Sequence, residues 1–531
     1  MKAAWKSVAF VMLVCAFSLP ARRRYGADWP TFGHDPQRSG WAFEESTLTP
    51  ENVSQLELKW KTQVKNEPKS LTALTAPVVA SGVVTTSGMK TLVYVAGSGD
   101  NIYALDAATG DQVWKVDFES HVLPKDAGMW LCPNGVNATP VIDRSTNSIY
   151  AVAVDGRLYG LDLGTGQIKF GPAQFVPAFS KNWSLNLFDG FIYTAISQGC
   201  GGAQSGFYGI DIHDPRRPAV RDLYISSGGG GIWGRGGAVI GANGKIYAAT
   251  GDGDFQPWNG EFANSVLAAS LPDLKLIDYY TPTNWKEVSR YDLDMGSGSP
   301  VSFGYENYNL LAVAGKEAAF YLLDADALGD KDHQTPLYTL HLANDEKAFE
   351  GKGVWGAPSA WRDLDEQTWV YVPIWGPVSK HAPTFPQTNG PAPHGSVMAF
   401  KVVRDPATKK PILQPAWISG DFNLPEPVVI ANGVVFGLST GENPMQVTQG
   451  AVIVNLSPGF KLLTDAQRRL DTKNAVLYAL DAKTGKTLYQ SGDAIPDWVH
   501  FSGLAVADGK VYAVDHESRV YCFGLKEEKK Q

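Results

Sequence analysis

Along YVAGSGDNIYALDAATGDQVWK, from Tyr94 to Lys115, apolar and small residues alternate through YVAG and IYALD and the alternation breaks at GSGD and DAATGD. That is the period of a half-buried strand interrupted by hairpin residues, so the stretch predicts strand, tight turn, strand, second tight turn, strand. Asp106 is placed to accept backbone N–H groups across the second turn, and Gly110 to supply a positive φ there. The same pattern returns as IYAVAVDGRLYGLDLGTGQIKF (Ile149 to Phe170). It recurs more loosely as FIYTAISQGCGGAQSGFYGID, KIYAATGDGDFQPWNGEFANSVLAAS, LLAVAGKEAAFYLLD, VVFGLSTG with LYALDAKTGKTLY, and KVYAVDHESRVYCFG. The chain is a repeat protein.

Each unit carries four strands, and four-stranded antiparallel units repeated every ~40 to 60 residues predict an all-β propeller. Eight innermost strands are readable: APVVA from Ala76, ATPVI from Ala138, WSLNLF from Trp183, GGAVI from Gly236, GSPVSF from Gly298, GAPSAW from Gly356, EPVVI from Glu426 and SGLAVA from Ser502. The last unit ends at YCFGL without a fourth strand, whereas LELKWKTQV (Leu56 to Val64) is a strand without a sheet, so the two are expected to complete one blade and remove two exposed edges. Ahead of it, DWPTFGHDPQRSGW and a helical turn in TPENVSQL, with Thr49 as N-cap and Pro50 in first position, form a clasp. LSPGFKLLTDAQRRLDTKN predicts a short surface helix, and the Pro- and His-rich loop from Gly376 to Gly395 is a candidate lid.

Composition agrees with one large closed β-fold: the 531 residues include 55 Gly, 33 Pro and 16 Trp, and only 19% are charged. A formal net charge of −8 without long basic runs argues against nucleic acid or an anionic membrane as partner. Lys2 and Lys6 precede an apolar run from Val8 to Leu19 that is too short to span a bilayer and resembles an export signal, although Arg22 to Arg24 are unusual beside a cleavage site. The expected organisation is a leader over 1–27, a propeller over 28–526 and a solvated tail over 527–531, in the periplasm or outside the cell, with no membrane span. Cys132 and Cys200, both in long loops, are candidates for a disulfide, and Cys522, in a strand, for a buried thiol. No CxxCH haem-attachment motif occurs in these residues.

In sheets that run up and down around an axis, the regular DAATG-type turns lie at one end of the disc. The irregular segments all lie at the other: MWLCPNGVN, SQGCGGAQSG, SSGGGGIWGRG, TGDGDFQPWNG, SRYDLDMGSG, AGKEA, KGVWGA, PIWGPVSK and IPDWVH. Functional groups concentrate in loops on a rigid scaffold, which makes this mouth the place for a site. Asp252, Asp254, Asp292 and Asp294 fall there. Carboxylates crowded into one volume call for a hard cation or a proton between them, whereas the same DGD and DLD strings also serve as turn caps. Trp233, among glycines, offers a face for a flat ligand or packs between blades as Trp114 is expected to. Lys316, at a hairpin tip, is a site cation or a solvated turn charge. The histidines, including His381, His394 and His500, do not fall at zinc-ligand spacing.

These residues resemble those of the pyrroloquinoline quinone (PQQ) dependent dehydrogenases, eight-bladed propellers with the quinone on the axis. DWPTFGHDPQRSG is similar to that family's opening, LCPNGVNATPVI to YGLDLGTG to its second blade, and GGGIWGRGGAVIGANGKIYAATGDGDFQPWNG to the segment carrying the tryptophan under the quinone and a calcium ligand. The resemblance implies that Trp233 stacks on PQQ with Gly234, Lys316 and Trp355 around it. It implies a Ca²⁺ ion on Gln204, Asp252 and Asp292, a catalytic Asp at 292 or 294 (DLDMGSGSP is also similar to the polyvinyl alcohol dehydrogenase subgroup), and Lys316 on the reactive quinone oxygen. Two departures stand out: Cys132 is followed by Pro133 where many relatives have adjacent cysteines, and Gln204 replaces a glutamate, with Asp252 in place of an asparagine. The implied function is oxidation of a small or polymeric alcohol, with electrons leaving to an external acceptor such as a cytochrome c. The competing implication, from the same repeat family, is a non-enzymatic propeller that binds proteins as an assembly scaffold in the cell envelope.

Overall fold

The computed structural model describes residues 27–69, 71–120, 132, 135–227, 229–447 and 463–527; most of the leader, the end of the tail, the segments flanking Cys132 and the first part of the blade 7 insertion, 448–462, lie outside the described residues. Eight blades surround one axis, and their innermost strands are Val78–Thr85, Val141–Asp143, Asn186–Phe188, Val239–Ile240, Val301–Tyr305, Ser359–Arg362, Val429–Ala431 and Ala505–Ala507. Blades are numbered here from the first of these. Blade 8 takes its outermost strand, Leu56–Gln63, from the other end of the chain, in antiparallel register with Arg519–Leu525. Among the described residues no helix is long and apolar enough to cross a membrane.

Strands such as Asn101–Asp106 and Ser148–Val152 are buried at every position, not at every second one. Each blade is covered on both faces by its neighbours, so the sequence alternation separates large from small side chains rather than core from solvent. The DAATG-type turns are part of this packing. Asp106 Oδ1 accepts the Ala108 N–H at 2.9 Å and Gly110 has φ of 78°. A Cβ on Gly110 would lie 2.7 Å from the Trp60 ring of blade 8, and the Trp60 indole donates to Ala107 O at 3.1 Å. Trp114 meets Gly166 and Leu163 O of blade 2 in the same way, and Trp417 meets Gly485 and Ala482 O of blade 7. One turn thus both closes a hairpin and receives the tryptophan of the preceding blade.

The clasp is a washer around the inner wall. Trp29 pairs with Val79 of blade 1, and the carbonyls of Pro30, Pro36, Gln37, Ser39 and Gly40 accept the N–H groups of Ile142, Ile240, Ser302, Ala360 and Ile430, in blades 2, 4, 5, 6 and 7. Blade 3 is bound through Thr31 Oγ1 and Arg38 to Leu185 O, and blade 8 through Glu45 to Gly509 N. Arg38, 1% exposed, also donates to Phe32 O at 2.8 Å and Gly236 O at 2.9 Å.

The turn in TPENVSQL begins at Thr49, whose carbonyl accepts the Asn52 and Val53 N–H groups while Asn52 Oδ1 accepts the Thr49 N–H at 2.9 Å, and it runs on as a 3₁₀ turn over Val53–Gln55. One expectation is corrected. The 376–395 loop is no lid: Gln387–Thr388 adds in parallel to the outer strand of blade 6, and Asn389 bonds Ile418 O and Thr484 O. The helix in the blade 7 insertion is Asp465–Arg468, and it ends on a buried residue, Arg468.

Arg38→Ala should lower unfolding stability by about 3 kcal/mol or more, read from denaturant midpoints, because several buried carbonyls lose their donor together. Arg38→Lys should recover only part of it, since an ammonium cannot reproduce the guanidinium fork.

Candidate functional site

Between the mouth segments lies a cavity of about 750 Å³, lined from nearly every blade. Its lining comes largely from the irregular connections, through Gln198, Gln204, Gly231, Trp233, Gly251, Asp252, Asp292, Asp294, Lys316, Trp355, Glu442, Gln446, Arg468, His500 and Phe501, joined by Trp375 and Lys181 from strands and by Leu71 and Cys132. Cys132 is disulfide-bonded to Cys200 across 68 residues, tying two mouth connections together, and Cys522 is a free buried thiol.

Lys316 is the centre of the polar wall. Glycine before it lets the backbone come close: a Cβ on Gly315 would lie 2.3 Å from Asp294 O. The buried ammonium lies 2.5 Å from Asp292 Oδ1 and 2.7 Å from Asp294 Oδ1, and 4.9 and 5.1 Å above the rings of Trp233 and Trp355. The Trp233 indole donates to Asp294 Oδ2 at 2.5 Å, which fixes the plane of its ring. Gly251 makes room, since a Cβ there would lie 2.9 Å from both Asp294 Oδ2 and Trp233 Nε1. Asp292 sits at φ of 55°, an uncommon conformation for a non-glycine residue, and its side chain is 23% exposed against 2% for Asp294.

Asp252, Asp292 and Asp294 each present an oxygen within 4.8 Å of the others. Burial, then Asp294 and Asp292, hold the Asp252 carboxyl well above the ordinary carboxylate range; burial raises Asp294 as well, against Lys316. Burial alone would lower Lys316, but Asp292, Asp294 and Asp252 outweigh it and keep the ammonium charged. Three carboxylates face one ammonium. Full ionisation therefore leaves two negative charges in excess, and hard oxygen donors in that arrangement suit a divalent cation.

The sequence-derived residues part company here. Trp233, Asp252, Asp292, Asp294, Lys316 and Trp355 share one wall, and Gln204 lines the same cavity with an exposed side chain. Asp254 is exposed and outside the cavity lining, a correction that follows from its position two residues further along the turn than Asp252. Gly234 is also outside the cavity lining, buried against blade 5, where a Cβ would meet Ser299 Oγ at 2.5 Å. Sequence reasoning missed Trp375, which stacks on Trp355 at 5.2 Å between ring centres. It also missed Glu442, held by Arg468 at 3.0 Å and His500 at 2.8 Å, with the His500 ring stacked on Phe501 at 4.0 Å. PIWG and IPDWVH had marked those loops as mouth segments; Glu442 and Arg468 left no signal, because their partners are remote in sequence.

A family model described as the glucose/ethanol/alcohol dehydrogenase β-propeller domain (PQQ) matches residues 29–190. The 1-butanol dehydrogenase (cytochrome c) of Thauera butanivorans is 22% identical over 341 residues, 56% of this chain and 46% of that protein. Quinohemoprotein alcohol dehydrogenase ADH IIB of Pseudomonas putida is 24% identical over 355 residues, 58% of this chain and 47% of that protein. The chain thus spans about half the length of these curated relatives. The crystal structure of quinohemoprotein alcohol dehydrogenase from Comamonas testosteroni superposes with a TM-score of 0.56 at 16% identity, covering 95% of this chain and 82% of that one, a likeness of fold.

Two substitutions in the polar wall should move stability in opposite directions when metals are chelated. Asp252→Asn, which removes one of three repelling carboxylates, should raise the melting temperature by about 1–3 °C, and Lys316→Met, which leaves them uncompensated, should lower it by more than that, both read by calorimetry.

Proposed function

We propose that this chain, whose residues 29–190 match the PQQ β-propeller family model, is a quinoprotein oxidoreductase of the PQQ-dependent dehydrogenase-like family that oxidises an alcohol with PQQ and calcium. The observation that carries this reading is the meeting of Trp233, Asp252, Asp292, Asp294 and Lys316 on one cavity wall. Asp252 and Gln204 would hold the calcium, with Asp292 at its edge. The excess negative charge of the aspartates supports a resident cation there. When bound, the quinone supplies a two-electron acceptor and the calcium a Lewis acid.

The protein's own groups divide the remaining work. Trp233, tethered by Asp294, presents a fixed indole face on which a flat ring is held. Asp294 is buried and committed to Trp233 and Lys316, so it positions rather than reacts. Asp292, the more exposed of the pair, accepts the proton of the substrate hydroxyl. Lys316 keeps a positive charge beside the place where an oxygen gains electron density. The stacked Trp355 and Trp375 exclude water from this wall.

The wide mouth accommodates a large or polymeric alcohol as well as a small one, and electrons leave to an external acceptor such as a cytochrome c, as the names of the relatives suggest. The Cys132–Cys200 disulfide supports an oxidising compartment, the periplasm or beyond.

The test is reconstitution of the purified chain with PQQ and calcium, following quinone absorbance and dye reduction with primary alcohols. Binding with turnover supports the enzyme; binding without turnover removes the activity, and no binding leaves the protein-binding scaffold. Lys316→Ala should cut kcat by about 10²-fold or more while changing the PQQ dissociation constant much less. Asp252→Asn should weaken calcium binding, seen as a smaller rise in melting temperature when calcium is added.

A further inference from the structure

The cavity has a second pole. Of the cations that line it, Lys316 is paired with Asp292 and Asp294, and Arg468 with Glu442. Lys181 is the exception: among the described residues its ammonium has no carboxylate and no side-chain hydrogen bond, and its neighbour is the face of Trp183, 5.3 Å away. The residue enters from a two-residue strand, Lys181–Asn182, paired with Ser197 and Ile196, which sets it beside Gln198 at the rim of blade 3.

A lysine with a flexible stem ordinarily carries its head to water when no counter-ion is near. This one is half-buried in the cavity wall, and burial, with no carboxylate opposing it, drives its pKa down to about 7. An indole face does not replace the lost hydration of an ammonium; an anion does. We propose that Lys181 binds the carboxylate of a flat, apolar-bodied ligand in this cavity. Asp252, Asp292 and Asp294 at the other pole repel anions, so the acid group is directed to the Lys181 end. Its body is set by the aromatic walls, since Trp183 continues through Phe501, at 6.4 Å between rings, toward Trp233 and Trp355. An aromatic carboxylate meets both conditions, with its acid on Lys181 and its other end toward Lys316. Two sources carry this chemistry: the quinone, itself an aromatic tricarboxylic acid, or an acidic substrate. The first rests on the function proposed above.

The full-length chain and Lys181→Met are titrated with PQQ, with its trimethyl ester and with benzoate, in calcium, following tryptophan fluorescence; circular dichroism and melting curves check folding. If the quinone is the source, Lys181→Met weakens PQQ binding tenfold or more and leaves the ester unchanged, and Lys181→Arg restores most of the loss. If a substrate is the source, PQQ binding is unchanged and benzoate binding falls tenfold or more. A chain that binds benzoate through Lys181 but no quinone keeps the carboxylate site and loses the quinoprotein reading. Equal affinities of the wild type and Lys181→Met for PQQ and benzoate, or no binding of either by the wild type, overturn the proposal. If Lys181→Met does not fold, Lys181→Gln carries the same comparison.

Discussion

Eight inner strands have to stand at one radius from a common axis, and residues 29–45 hold them there. This segment makes a backbone hydrogen bond to each of six blades and reaches the other two, blades 3 and 8, through Thr31, Arg38 and Glu45. The inner strands of several blades are two or three residues long, too short to fix their own positions by sheet pairing alone. Together with the tryptophans that dock on each following turn, the washer converts a linear repeat into a closed ring. Closure then brings Trp233 and Asp294, 61 residues apart, within hydrogen-bonding distance.

On that rigid frame the protein maintains an unfavourable arrangement. Three carboxylates share one ammonium in a largely buried corner, Asp292 keeps a left-handed backbone, and glycines at 251 and 315 let the groups approach. None of this improves the fold. Like charges in a poorly solvated volume cost stability unless a cation or proton offsets them, and such conflicts concentrate where a ligand resolves them. Elsewhere the buried charges are neutralised within the protein, Arg235 by Glu426 outside the cavity lining and Arg468 by Glu442 on it, which leaves Lys181 as the cavity cation without a protein counter-ion among the described residues. The site is therefore polarised, acidic between blades 4 and 5 and basic at blade 3.

The repeat, the eight inner strands, the completion of blade 8 by the N-terminal strand and the sorting of irregular connections to one mouth were all legible in the chain. Each is a consequence of local periodicity and turn chemistry, which need no knowledge of what lies across the ring. Trp233, Asp252, Asp292 and Lys316 could be singled out because glycines and acidic pairs break the repeat at those points. Asp254 and Gly234, two residues and one residue from cavity groups, fall outside the lining, because local sequence does not say which neighbour points inward.

Sequence by itself determined the blade: its strands, its turns, and the tryptophan and glycine that lock it to the next. Only the tertiary structure decided who meets whom across the mouth. Glu442, Arg468 and His500 form one cluster, Trp375 lies on Trp355, Asp294 turns inward to Trp233 while Asp292 stays open, and Lys181 faces Trp183. The reason is physical. Strand and turn propensities act over a few residues, whereas the charge balance of a cavity is a sum over side chains from every blade, and that sum exists once the ring has closed.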